Sequence, residues 1–278
     1  MTSCEVCGAR ASVRRLLDDE ALLVCSTCGH AVRLVGHGAA RPHPDGGTLP
    51  RDDVRLRLTY RRIRRAVRGH DVRSVYEVGY GGGALLRRFL DDGASVAGCD
   101  PGMLESQVDP VVLERGALTQ APLEAGMTGE ADLVIAVHVV EHLPSAAPSL
   151  SDLVALARPG GLVVLVTPTL DCWGARAFGP DWWMLEDPTH ERFYSERSMR
   201  LALRTAGAVD VLVTRPVLDS LGVDGASLAR RWGRDSAEGA LGGTAGRVVS
   251  AAAMPVSAGV RTVLRRTRPV LDVVARRP

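Results

Sequence analysis

The segment Val75-Tyr76-Glu77-Val78-Gly79-Tyr80-Gly81-Gly82-Gly83-Ala84 constrains the fold most, because a β-branched run passes through clustered glycines into a helical pattern. Such a junction needs backbone without Cβ atoms, both to turn tightly and to let a ligand approach, and it belongs to a βαβ unit. Around it, apolar runs at 74–78, 95–99, 111–115, 132–137 and 161–167 read as strands. Residues 84–90 and 150–157 have helical spacing, the second stopped by Arg158-Pro159-Gly160-Gly161. Beyond a long loop, 195–206 reads as a helix from a Ser cap, 209–214 as a strand, 251–264 as a helix and 270–275 as a last strand. Upstream, Leu56, Tyr60, Ile63 and Val67 form one apolar face of a helix over 52–68 that is otherwise covered in arginine. Strand and helix alternating in this way predict an α/β fold, a doubly wound, mostly parallel sheet with helices on both faces.

The glycines also fit the G-x-G-x-x-A pattern of a dinucleotide site, so the neighbouring acids decide the ligand's charge. Glu77, two residues before the first glycine, puts a carboxylate at the strand end, where it repels a pyrophosphate and attracts a cation. Asp100, in Gly98-Cys99-Asp100-Pro101, ends the next strand with a carboxylate suited to ribose hydroxyls. Residues 131–143, ADLVIAVHVVEHL, run from a buried strand into Glu141-His142 at its carboxyl end, the edge where open α/β sheets bind ligands.

Taken in order, EVGYGGG at 77–83, GCDP at 98–101, ADLVIAVHVVEHL at 131–143 and RPGGLVVLVTP at 158–168 resemble the class I S-adenosylmethionine (SAM) dependent methyltransferases that act on small molecules. The resemblance covers residues 52–216 and the final strand, and it implies a Rossmann-like sheet whose last strand is antiparallel. It assigns Glu77, Gly79, Gly81 and Gly83 to the methionine end of SAM and Asp100 to its ribose, and sets Met103 and the segment after the third strand beside the adenine. Tyr80, Pro101, Leu118 and His138 complete the implied cofactor-binding set. Where the family often has an acid after the third strand, this chain reads Gly116-Ala117-Leu118, which leaves the adenine amino group to backbone carbonyls or to Gln120.

Six of the eleven aromatic residues, Trp173, Phe178, Trp182, Trp183, Phe193 and Tyr194, lie together after the fifth predicted strand, as a lid over a substrate pocket or as a small core pinning a loop. Within this stretch Glu186-Asp187-Pro188-Thr189-His190 sets a histidine beside carboxylates, and the resemblance includes a Pro-x-His element here. His190 is the first candidate for the base that takes a hydroxyl proton, His142 the second, with Glu141 beside it.

Cys4-x-x-Cys7-Gly8 and Cys25-x-x-Cys28-Gly29, 17 residues apart, have the spacing of a closed tetrahedral zinc site, with a hairpin at 13–17 and 21–24 between the knuckles. Four ligands leave no open position, so the expected zinc is structural. His30 and His37 read as surface residues, and Cys99 and Cys172 as small apolar groups.

With 278 residues, 46% hydrophobic and a formal charge of +2, the chain has room for one α/β domain and a small appendage, and no field that by itself argues for nucleic acid. Neither a secretory leader nor about 18 uninterrupted apolar residues is present, which predicts a cytoplasmic protein without stable membrane insertion. The expected domains are a zinc-ribbon-like module at 1–35, a linker at 36–50 and a methyltransferase domain at 51–278, with a lid loop at 168–195 and a helical insertion at 217–268. The basic, apolar stretch at 247–268 can face a membrane or a lipid-linked acceptor, and an internal helix pair is the favoured reading. The expected reaction is O-methylation of a small-molecule or glycosylated metabolite, such as a sugar, lipid-linked or natural-product alcohol. The alternatives are an RNA methyltransferase using the zinc module and the arginine helix, and a non-catalytic SAM-binding scaffold.

Overall fold

A computed structural model describes residues 3–17, 20–34, 50–103, 105–124, 126–233, 239–241 and 243–278. In chain order its elements are β1 (Ala11–Leu17), β2 (Glu20–Cys25), β3 (Ala31–Arg33), α1 (Pro50–Ala66), β4 (Ser74–Val78), α2 (Ala84–Asp91), β5 (Ser95–Cys99), α3 (Pro110–Arg115), β6 (Ala117–Thr119), β7 (Ala131–Val137), α4 (Ala147–Ala155), β8 (Ala157–Pro168), α5 (Trp173–Phe178), β9 (Arg192–Phe193), α6 (Glu196–Thr205), β10 (Val209–Thr214), α7 (Val223–Arg231), α8 (Thr244–Val263) and β11 (Val270–Arg276). They sort into two compact units, one drawn from Ala39–Val166, Arg200–Val213 and Asp272–Pro278, the other from Met1–Gly38, Thr167–Met199 and Thr214–Leu271.

The first of these is the parallel-sheet unit. Its strands run in the order β10-β11-β8-β7-β4-β5-β6. β4 lies parallel between β5 and β7, with Val75 opposite Val96 on one side and Leu133 on the other. The last strand runs the other way: Arg277 exchanges backbone hydrogen bonds with Gly160 and Gly161, at the start of β8, while Pro269 meets Thr169 beyond its end. Such central strands are apolar on both faces, and one face carries a core of Val75, Leu133, Ile135 and Val164. Leu85, Leu86 and Phe89 of α2 pack into that core, because i, i+1, i+4 spacing gathers them on one side of the helix. α1 adds Ile63 and Val67, and Tyr60 stands edge-on to Phe89 at 5.1 Å between centroids. Two of its arginines are held within the unit, Arg62 by Asp272 at 3.0 Å and Arg64 by Asp92 at 3.3 Å.

Two sequence expectations fail here for local reasons. Residues 111–115 are helix, not strand: the Asp109 carboxylate accepts the Val111 and Val112 N–H groups at 2.9 and 3.3 Å, Pro110 starts α3, and the strand pairing β5 is β6. An Asp-Pro start outweighs the β preference of two valines. Arg158-Pro159-Gly160-Gly161 does not end a helix but lies inside β8, where pairing jumps from Ala131↔Ala157 to Leu133↔Leu162 and a bulge absorbs the extra residues.

The cysteine unit is built on the sheet β1-β2-β3-β9. The expected hairpin is β1 paired antiparallel with β2, and β3 extends it to β9 with Ala31 opposite Phe193. Residues 168–195 are therefore not one loop: they contain α5, two 3-10 turns (Gly179–Asp181 and Trp183–Leu185) and β9. Three of the six clustered aromatics, Trp182, Phe193 and Tyr194, are core residues, while Trp173 is exposed. α7 and α8 cross so closely that a Cβ on Gly225 would lie 2.5 Å from Ser250 Cα. Of the expected linker at 36–50, residues 36–49, and His37 with them, lie outside the described residues.

Candidate active site

At the carboxyl end of β4 the chain turns through Gly79, whose φ of 72° is left-handed and whose absent Cβ would sit 2.4 Å from Val139 Cγ2. Any side chain is thus excluded twice, by backbone conformation and by the neighbour. The loop that follows is tied to the end of β5: the Gly81 N–H donates to Asp100 Oδ2 at 2.9 Å and the Gly102 N–H to Asp100 Oδ1 at 2.8 Å. Asp100 is thereby fixed in orientation, and each carboxylate oxygen keeps a lone pair for a further donor.

Glu77 stands at the last turn of β4 and is only 3% exposed. Its Oε2 is buried with no hydrogen-bond partner. Burial first, and then the Asp100 charge, push its carboxyl well above the ordinary glutamate range. An orphaned acceptor of this kind is costly unless a donor or cation arrives, so the residues present fit a cationic ligand such as SAM. Tyr80 and Met103 are buried with Val108 and Val112, and Leu118 packs against the same cluster, so these three side chains form an apolar backing; Pro101 is exposed.

Beyond β7 the chain turns at His138, a non-glycine residue with φ 56°. Its N–H donates to Val166 O at 2.7 Å and its Nδ1 lies 3.2 Å from Glu141 Oε1. Glu141 is fully buried, while the His142 ring is only half-buried.

His190 belongs to the cysteine unit. Asp187 accepts from the Thr189 N–H at 2.8 Å and the Thr189 hydroxyl at 2.6 Å, a turn that carries the chain into His190. Its Nδ1 donates to Met184 O at 2.7 Å, which fixes the tautomer and leaves Nε2, 3.9 Å from Asp187 Oδ2, as the basic nitrogen of the neutral ring. Sequence reading missed what holds this turn. The buried Arg33 of β3 donates to Leu185 O at 2.9 Å and Asp187 O at 3.1 Å. An arginine at the end of a short strand gives no sign of its partners some 150 residues away.

The four cysteine sulfurs lie within 4.8 Å of one another, with Cys4–Cys28 at 3.6 Å and Cys7–Cys25 at 3.5 Å, and none is in a disulfide. A tetrahedral ion bonded at about 2.3 Å asks for thiolates about 3.8 Å apart, so the donor set fits such an ion. Gly29 is required beside it: its φ is 74°, and a Cβ would meet Ser195 Cβ at 3.0 Å. Ser195 Oγ donates to Cys28 O and accepts the Ser198 N–H at 3.0 Å, so the α6 cap and the second knuckle share one hydroxyl. His30 is buried, not a surface residue: its Nε2 is 2.7 Å from Glu5 Oε1 and its ring lies 4.8 Å from Tyr194. Cys99 and Cys172 are buried, and burial pushes the Cys172 thiol up to about 11.

Comparison with known proteins agrees with this geometry. A ubiquinone biosynthesis O-methyltransferase of Pseudomonas paraeruginosa is 31% identical over 102 residues, 34% of this chain and 44% of that protein, so the chain spans less than half the length of this curated relative. The protein of the same name from Methylobacterium nodulans is 29% identical over 57% of this chain and 66% of its own. Among solved structures, the Burkholderia thailandensis 1,6-didemethyltoxoflavin-N1-methyltransferase, with 1,6-didemethyltoxoflavin and S-adenosylhomocysteine bound, superposes with a TM-score of 0.51 at 16% identity, covering 96% of this chain and 99% of that one. The family described as "Methyltransferase domain" matches residues 51–213, more than half of the chain. With that match, and a parallel sheet closed by one antiparallel strand, the chain belongs to the methyltransferase-domain family, on the class I fold of the SAM-dependent enzymes.

Proposed function

We propose that this protein is an enzyme that methylates a hydroxyl group of a small-molecule acceptor, using SAM. The observation that carries the reading is the buried, unpartnered Glu77 carboxyl beside a glycine turn whose Gly81 N–H fixes Asp100. When bound, SAM supplies a methyl group already activated on a sulfonium. Glu77 and the Gly79–Gly81 backbone hold the methionine end, Asp100 accepts from the ribose hydroxyls, and Tyr80, Met103 and Leu118 back the adenine. His138 braces the edge of this cofactor site through its contact with Glu141. His190 takes the hydroxyl proton on Nε2, because Met184 O holds the other nitrogen as its N–H form. His142, beside Glu141, is the second candidate for the base. The oxygen acceptor is supported by the relatives named as O-methyltransferases, and a small or glycosylated alcohol is the class proposed. Cys4, Cys7, Cys25 and Cys28 hold a structural zinc ion. Two of the α1 arginines, Arg62 and Arg64, pair within the unit, while Arg61 and Arg65 stay exposed, so the basic face that an RNA acceptor would use is reduced.

Calorimetry with S-adenosylhomocysteine on the full chain is expected to give one binding event per molecule. Silence there, with tight binding of a nicotinamide dinucleotide, overturns the reading. With labelled SAM and an alcohol panel, His190→Asn is expected to lower kcat by about 10²–10⁴ while cofactor affinity holds. If His190→Asn keeps its rate and His142→Asn loses it, the base is His142.

A further inference from the structure

The last long helix is built inside out. The buried residues of α8 are Gly246, Ser250, Ser257 and Arg261. The opposite face presents Val248, Ala252, Val256, Val260 and Val263, steps of four, four, four and three that align on one side of a helix. Val248, Val256 and Val263 are 61%, 69% and 80% exposed. The reversal is supported from within: the fully buried Arg261 donates to Asp219 O and Asp224 Oδ2, each at 2.8 Å, and Gly225 lets α7 approach Ser250. Polar and small groups turn inward because α7 satisfies them, which leaves the apolar groups facing water. A continuous apolar face of this kind marks an interaction surface.

Charge identifies the occupant. From residue 239 to 271 the chain has five arginines and no acidic residue; Arg261 is buried on Asp224 and Arg268 donates to Arg261 O and Arg215 O, which leaves the others to the surface. Arg247, near one end of the helix, lies across its axis from Val256 and donates to Leu241 O at 2.9 Å, while Arg265 and Arg266 follow the other end exposed, Arg265 partly engaged by Glu196 at 2.9 Å. A smooth face of valine and alanine lacks the protruding Trp, Tyr or Arg anchors on which protein partners concentrate binding energy. An apolar stripe that runs into exposed basic residues at one end is an arrangement that rests in the boundary between headgroups and acyl chains, with long arginine stems reaching the phosphates. No described helix is long and apolar enough to cross a membrane. We propose that α8 docks the protein on the surface of an anionic lipid bilayer, its valine face in the acyl boundary and Arg266, beyond its carboxyl end, on headgroup phosphates. This docking is independent of the methyl-transfer reading and can fail without affecting it.

The test is flotation of the 278-residue chain with vesicles of phosphatidylcholine alone and of phosphatidylcholine with an equal part of phosphatidylglycerol. Binding is expected to the second only and to weaken with salt. Val256→Asp with Val263→Asp should abolish it, and Arg266→Glu should weaken it about fivefold. These positions face solvent, and unchanged far-UV circular dichroism and melting would show that the variants fold. Equal binding to both vesicles, binding to neither, or binding untouched by the double aspartate variant would overturn the proposal. So would a concentration-dependent dimer, in sedimentation, that the double aspartate variant dissolves while no vesicle binding is seen; that result would make the face an interface between copies of the chain.

Discussion

In the parallel-sheet unit, the contact that fixes Asp100 reaches back 19 residues to Gly81, whereas in the cysteine unit Arg33 reaches 154 residues to Asp187 and Arg192 reaches 187 residues to Glu5. A short reach means that the turn and its acid arrive almost as one piece of sequence, with spacing that a single βαβ unit dictates. A long reach means that each partner is ordinary alone and acquires its role only when distant stretches meet. The glycine turn is therefore sensitive to changes of conformation at single residues, and the cysteine unit to anything that undoes a junction.

The largest expected effect separates the units. Cys4→Ser with Cys28→Ser removes two of four candidate ligands, and the unit built around them should lose amide-exchange protection across β1–β3 and β9. Peptides from β4, β5 and β7 are expected to stay protected, with S-adenosylhomocysteine affinity changed less than about threefold; simultaneous loss in both units would break the comparison. Next, Gly79→Ala forces a Cβ into Val139 at a left-handed φ, strain of about 1–3 kcal/mol. Cofactor affinity should fall by at least about tenfold in calorimetry, and Val139→Ala should restore only the steric part.

Smaller but sharper is Glu77→Gln, expected to weaken S-adenosylhomocysteine binding by about ten- to a hundredfold through loss of one charge-assisted contact. The sign of the linkage follows from the raised carboxyl: free protein keeps its proton above the ordinary glutamate range, and a bound cation draws that value down. Binding should therefore release a proton in the window between the two values, and affinity should rise with pH up to the raised one. Calorimetric heats compared in buffers of different ionisation enthalpy measure that release, and Glu77→Gln should remove it. Smallest is Arg33→Lys, which keeps charge but not the fork that reaches two carbonyls. A melting loss of about 1–3 kcal/mol confined to the cysteine unit is expected, together with a lower kcat and unchanged cofactor affinity. A wild-type kcat would detach Arg33 from the His190 turn.

What the sequence revealed follows the same division. β4, β5 and β10 match their predicted residues, because apolar runs with a turn at each end carry their own boundaries. Residues 111–115 mislead because the strand signal of two valines is outweighed by the helix start at Asp109-Pro110, and β8 reads as starting late because its bulge looks like a helix stop. The Glu77 and Asp100 carboxyls are legible as charge at two strand ends, but that Glu77 Oε2 has no hydrogen-bond partner needs three dimensions. In the cysteine unit the knuckles were legible from spacing, yet β9 was hidden, being two residues long and paired with β3. The aromatic cluster is visible in the sequence, but that Trp182, Phe193 and Tyr194 are interior while Trp173 is exposed is a distinction that composition does not carry.

The pairing of Ala31 with Phe193 also sets an order of events during synthesis. Translation delivers β3 long before the strand that covers its free edge, so a nascent chain carries an uncapped hairpin while the whole of the parallel sheet up to β8 emerges from the ribosome. Early metal capture by the two knuckles would hold that hairpin in register during the wait. Expression under metal starvation should then yield aggregates formed during translation, which late addition of metal does not rescue.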